Sequence, residues 1–184
     1  MYKEKTVLSS LMLFAVVLMA VFALVGLQPC KAFAASDSYQ TLSQDGASTV
    51  VPSNWNIATN DSGQKFAESK NHKASIMVES VDASGSFVNL NSFKSYVSET
   101  LVPGLESSGG YECGTAECVS TDYWNYQATI PIQAKDDNGK TLKGEMVVVY
   151  NGKSVGIIIS MAYEKSYQKF EDVFETAVNN FALN

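Results

Sequence analysis

The chain has 184 residues with 13 basic and 19 acidic side chains, a formal net charge of −6, and no arginine at any position. An acidic surplus speaks against nucleic acid, which needs a basic patch to neutralise phosphates. The lack of arginine removes the usual bidentate clamp for phosphate and carboxylate.

Residues 1–34 read as a secretory signal peptide. Lys3 and Lys5 begin it, an uncharged run follows from Thr6 to Gln28, and Ala32-Phe33-Ala34 supplies the small-x-small site that signal peptidase cleaves after. The run is also long enough to cross a bilayer, so a retained anchor through residues 7–28 is the alternative. Cys30 follows Gln28-Pro29, where a lipoprotein site would want small residues. On either reading the rest of the chain leaves the cytosol, secreted or anchored in the membrane. Cleavage after Ala34 would leave 150 residues carrying −8, enough for one domain with a sizeable core.

Residues 35–46, rich in Ser, Asp, Gln and Ala, read as a flexible tether, with the folded domain expected over 47–184. Ala47–Val51 predicts a short strand, broken by Pro52-Ser53-Asn54-Trp55, and Trp55–Thr59 resumes extended. Asn60-Asp61-Ser62-Gly63 is a turn. Lys65–Ser69 and Ala74–Val81 predict paired strands around a tip that holds His72, the one histidine. Leu90, Phe93, Val97 and Leu101 then recur at helical spacing, with Asn89 or Asn91 as the cap and Pro103-Gly104 as the stop.

Cys113 and Cys118 follow a Ser/Gly-rich connection. An even pair in an exported domain predicts a disulfide that pins the Ser107–Gly114 loop. A zinc site would need two more ligands, which the single His72 cannot supply. A further strand is expected over Glu117–Thr121.

Tyr123–Lys135 alternates. Trp124, Tyr126, Ala128, Ile130, Ile132 and Ala134 are apolar or small, while Asn125, Gln127, Thr129, Gln133 and Lys135 are polar, the mark of a strand with one buried face. Asp136-Asp137-Asn138-Gly139 and Asn151-Gly152 read as hairpin turns, since Asn-Gly accepts the positive φ of a type I′ turn. The two strands between and after them are apolar on both faces, so they are expected at the sheet centre. Tyr123–Lys135 lies nearer an edge, where Pro131 costs no ladder bond. A final helix, capped by Ser166, carries Phe170, Val173, Phe174, Ala177 and Phe181 on one stripe and would cover the sheet.

The expected class is α+β: an α/β/α sandwich around a central antiparallel sheet of six to seven strands, with one helix mid-chain and one at the C-terminus. Val-Pro-Ser-Asn-Trp after a first strand, a meander, a helix, a three-strand meander and a terminal helix after Ser160-Met161-Ala162-Tyr163 resemble the PsbP-like superfamily. That group includes the extrinsic photosystem II protein, a Ran-binding import factor and many exported bacterial proteins. The resemblance implies a sandwich that binds partners rather than one that catalyses, and it carries over no ligand-site residue.

No nucleophile–base pair or metal constellation stands out. His72 sits at a hairpin tip, where a catalytic base would lack a fixed orienting partner. Asp136–Gly139 lacks the remaining oxygen ligands of a calcium loop. No catalytic residue, cofactor or metal is therefore expected. Tyr111 and Tyr123, flanking the Cys113–Cys118 segment, are the candidate contact surface. The leading functional expectation is a non-catalytic binding or assembly module of the bacterial envelope whose partner is a protein or an envelope polymer. The alternatives are a carrier that holds an apolar small molecule between sheet and helix, and, third, a hydrolase.

Overall fold

The computed structural model describes residues 38–108 and 110–184, so the signal-peptide or anchor reading of 1–34 lies outside the described residues. The chain opens with the hairpin β1 (Tyr39–Gln44) and β2 (Ala47–Pro52), then β3 (Asn56–Thr59), β4 (Lys65–Glu68) and β5 (Ala74–Asp82). Helix α1 (Leu90–Tyr96) runs through a π-helical turn, Val97–Leu101, into α2 (Val102–Ser107). Two short strands follow, β6 (Tyr111–Cys113) and β7 (Glu117–Val119). Three long strands come next: β8 (Tyr126–Lys135), β9 (Thr141–Tyr150) and β10 (Ser154–Tyr163). A 3-10 segment, Glu164–Lys169, leads into α3 (Glu171–Asn179) and the terminal β11 (Ala182–Leu183).

The central sheet has eight strands, ordered β3-β4-β5-β10-β9-β8-β6, with β7 also paired to β8. All its pairings are antiparallel. The doubly apolar strands β9 and β10 lie inside, because a side chain on either face needs cover. β8 is the last long strand. Its outer edge pairs with β6 at Ile132–Ala134 and with β7 at Gln127–Thr129, and Pro131 falls in the gap between them. The carbonyl of Pro131 accepts the Gly114 N–H at 2.7 Å, so the residue without an N–H still contributes its acceptor.

Each face of the sheet has its own core. On one, Phe93, Val97, Leu101 and Leu105 from the helical rod pack on Ile130, Met146, Val148, Ile157 and Ile159. On the other, the β1–β2 hairpin and α3 bring Leu42, Val51, Phe174, Ala177 and Phe181 onto Ile76, Val78, Val147, Val149 and Ile158. The result is the expected α/β/α sandwich.

Several local expectations are corrected. Tyr39–Gln44 is not tether but strand. Its Leu42 is fully buried, and it pairs with β2 along its whole length. One apolar side chain in a polar hexamer suffices when the partner strand is adjacent in sequence. Pro103-Gly104 does not stop the helix. The π turn ends at Leu101 and Pro103 falls in the first turn of α2, where its missing N–H breaks no intrahelical bond. Asn89 is the cap of α1, accepting the Ser92 N–H at 2.9 Å in a reciprocal capping box. Ser166 caps nothing, because it lies inside the 3-10 segment and α3 starts after Phe170. In both Asn-Gly turns only the glycine takes a positive φ, so neither is type I′.

Candidate functional site

The two cysteines do not form the predicted disulfide: Cys113 and Cys118 are free thiols. Register explains it. Cys113 lies opposite Ile132 and Cys118 opposite Ala128, four residues apart along β8. At ~3.4 Å per residue that is roughly 13 Å, against the ~7 Å limit for bridging Cα atoms. Both side chains turn towards the helix-covered core. Burial, then the nearby Glu106 carboxylate, pushes the Cys113 thiol up to about 11. Burial also raises Cys118, offset in part by Lys94.

The predicted contact pair Tyr111 and Tyr123 is likewise separated. Tyr111 pairs with Ala134 near one end of β8, whereas Tyr123 precedes the first residue at the other end. Eight residues of strand lie between, roughly 27 Å. Tyr111 is 8% exposed, and burial, then Cys113, pushes its phenol up to about 12. Tyr123 is 74% exposed and stands edge-on against Trp124, ring centroids 4.5 Å apart. Trp124 does not share a face with Tyr126, as continuous alternation required. The strand begins only at Tyr126. Thr121 Oγ1 bends the preceding chain, donating to the Trp124 carbonyl and accepting its N–H. Trp124 packs towards Phe181 on one face, while Tyr126 stacks on Tyr150 on the other.

What the sequence did not single out is the side of the sheet facing α3. The hairpin and α3 cover β4, β5, β10 and only the Val147–Val149 part of β9. No residue of β8 joins that core. Its residues there, Gln127, Thr129, Pro131 and Gln133, are half-buried or exposed, and Lys143 and Glu145 of β9 extend the same polar shelf. Trp124 and Tyr123 stand at one end of the shelf. At the other end a cleft of about 280 Å³ opens at the sheet edge between Glu106, Tyr111, Glu112, Gln133, Lys135 and Thr141.

Glu145 marks the shelf's inner border. Burial raises its carboxyl, and Tyr167 of the 3-10 segment is raised by its own burial and then by Glu145. Directly across the ladder from Glu145 is Ser160, 2% exposed, whose Oγ has no hydrogen-bond partner. His72 is remote from this region, at the β4–β5 tip, with Nδ1 2.6 Å from Glu68 Oε2. Beneath Phe93, where a carried apolar molecule would sit, the space is filled by rings. Phe87 meets Phe93 edge-on at 5.4 Å, and Tyr126 lies 5.7 Å from it. Phe174 is similarly enclosed by Tyr167 and Phe170 at 5.7 and 6.2 Å.

No family model matches the chain, and no curated protein matches it. Solved structures do. The cyanobacterial PsbP (CyanoP) of Synechocystis superposes with a TM-score of 0.57 over 86% of this chain and 99% of its own, at 14% identity. The fold is PsbP-like. LpqN of Mycobacterium tuberculosis, described as involved in cell envelope biogenesis, superposes on this chain at TM-score 0.53 and 10% identity, over 80% of this chain and 91% of its own. A Bacteroides thetaiotaomicron protein matches at TM-score 0.54 and 12% identity, over 78% of this chain and 48% of that longer one. Among the described residues no helix is long and apolar enough to cross a membrane.

Proposed function

We propose that this PsbP-like domain is a non-catalytic binding module of the bacterial cell envelope, and that the polar shelf of β8 and β9 is its partner-binding face. One observation carries the reading. The helical rod covers its side of the sheet as far as β8, while the opposite layer stops short and leaves β8 bare. An uncovered sheet face alternating amides, a hydroxyl and a proline offers a broad hydrogen-bonding surface rather than a pocket for a small molecule. Tyr123 beside it supplies an exposed aromatic ring of the kind enriched at interfaces. The envelope setting draws support from the N-terminal sequence and from LpqN, whose description places that protein in envelope biogenesis.

The test is retrieval. Immobilised residues 35–184 should enrich a specific protein or polymer from envelope extracts, and the double variant Thr129→Lys, Gln133→Lys should not, at unchanged melting temperature. Equal retrieval by the variant, or turnover of a substrate in hydrolase screens, would overturn the reading.

A further inference from the structure

Charge is unevenly placed on this acidic domain. Three connections meet at one end of the sheet: the β4–β5 tip (68–73), the β8–β9 turn (135–143) and the 3-10 segment with Tyr163 (163–169). Register brings them together, with Ala162 opposite both Ala74 and Lys143, and Lys135 opposite Thr141. Tyr163 ties them. Its N–H donates to the Lys73 carbonyl at 3.0 Å, its hydroxyl donates to Asp136 Oδ2 at 2.9 Å, and Lys140 Nζ stands 5.8 Å from its ring centroid.

Those three spans hold seven of the ten lysines from Ser38 onward, against four carboxylates. Three of the four are engaged locally. Glu68 holds His72, Glu164 pairs with Lys143 at 2.6 Å, and Asp136 accepts the Tyr163 hydroxyl and two backbone N–H groups. The rest of the domain carries three lysines against thirteen carboxylates. Of these, Glu106 and Glu112 lie on the flank of the lysine end, in the cleft. Glu145 acts on Tyr167 of the 3-10 segment from the half-buried border of the shelf, and Glu171 and Asp172 open α3 beside it. Carboxylates at the far end of the ten-residue strands are roughly 30 Å away, beyond three screening lengths at ~8 Å each in physiological salt.

The chain also joins the domain at this end. Ser38 bonds Ser53 through both side chain and backbone, and Trp55, two residues on, meets Phe170 edge-on at 5.9 Å. β1 then runs away from it to the Asp45-Gly46 turn, which Ser80 near the far end of β5 holds by donating to the Asp45 carbonyl. Tyr39, first residue of β1, is 49% exposed at the junction, the amphipathic side chain favoured at headgroup depth. The uncharged run Thr6–Gln28 ends ten residues before Ser38, a reach of at most about 35 Å.

We propose that the lysine end docks on an anionic lipid surface, setting the domain upright with the shelf's aromatic end farthest from the bilayer. Lysines and chain junction share one end, so a retained N-terminal segment would hold these lysines against the headgroups, and after cleavage the lysines would act alone. The proposal is independent of the shelf's partner.

The test uses residues 35–184, which contain both cores, and flotation with phosphatidylcholine vesicles holding one-third phosphatidylglycerol, against phosphatidylcholine alone. Binding should require the anionic lipid and vanish at high salt. Lys135→Gln, Lys165→Gln, Lys169→Gln should weaken it roughly ten- to a hundredfold, from the usual contribution of a juxtamembrane lysine. Lys65→Gln, Lys94→Gln, Lys153→Gln, which removes the same charge elsewhere, should leave it nearly unchanged, with thermal melts showing both variants folded. No binding to anionic vesicles, equal weakening by the two variants, or binding to a soluble polyanion such as teichoic acid in place of vesicles would overturn the proposal.

Discussion

Replacing Phe174 by alanine tests whether α3 closes the second face of the sheet. Phe174 is 5% exposed, mid-helix, with Phe170 and Tyr167 rings on one side and the Ile76–Ile158 surface in the same core. Truncation removes roughly 150 Å² of apolar contact, worth about 4 kcal/mol at ~25 cal/mol per Å². The site has limited room to collapse, because the sheet beneath is fixed by its ladder. A loss of ~3–5 kcal/mol is therefore expected, a large share of the ~5–15 kcal/mol that holds an ordinary domain. Glu175→Ala, one residue on but exposed, should stay within about ±0.5 kcal/mol. Urea melts of residues 35–184 give both numbers, and the slope with denaturant should be the same in all three proteins. Equal, small losses for Phe174→Ala and Glu175→Ala would mean that the helix is not a structural layer.

Three further outcomes are expected. In denaturant without reductant, residues 35–184 should titrate as two free thiols, and under native conditions both should react slowly because burial raises them; a protein with no free thiol would contradict the β6–β7 register. Glu145 has a folded pKa raised by burial, so its ionisation opposes folding: stability should fall as pH rises from the unfolded value through the folded one, and Glu145→Gln should stabilise at neutral pH with the gain fading in acid. A melt in which Glu145→Gln destabilises at neutral pH would refute the assigned burial. Gly144→Ala should cost several kcal/mol, since a Cβ there would press into the Ser160 carbonyl and the Met161 side chain; an unperturbed melting temperature would show that β9 and β10 are spaced more widely.

Much of the architecture was legible because burial writes itself into periodicity. Val147, Val149 and Ile157-Ile158-Ile159 could only belong to strands covered twice, and they lie at the centre. Leu90, Phe93, Val97 and Leu101 marked the inward stripe of a helix whose π turn and continuation past Pro103 no stripe could disclose. The hairpin strand β1 escaped notice because only Leu42 is apolar. The disulfide and the tyrosine pair failed for a common reason: both assumed that neighbours in sequence are neighbours in space, whereas pairing to β8 spreads them along its length. The polar residues Gln127, Thr129 and Gln133 were legible as a wet face. Alternation cannot tell a face that meets solvent at large from one left bare beside a covered half, because that depends on where the opposite layer stops.

The most direct test of the shelf as a binding face is site-specific photo-crosslinking in producing cells. A photoreactive amino acid at Gln127 or Gln133 should yield a discrete adduct with an envelope component, while the same residue at exposed Asn91 or Ser95 on α1 should not. Adducts of equal yield from all four positions, or none from the two shelf positions, would contradict it.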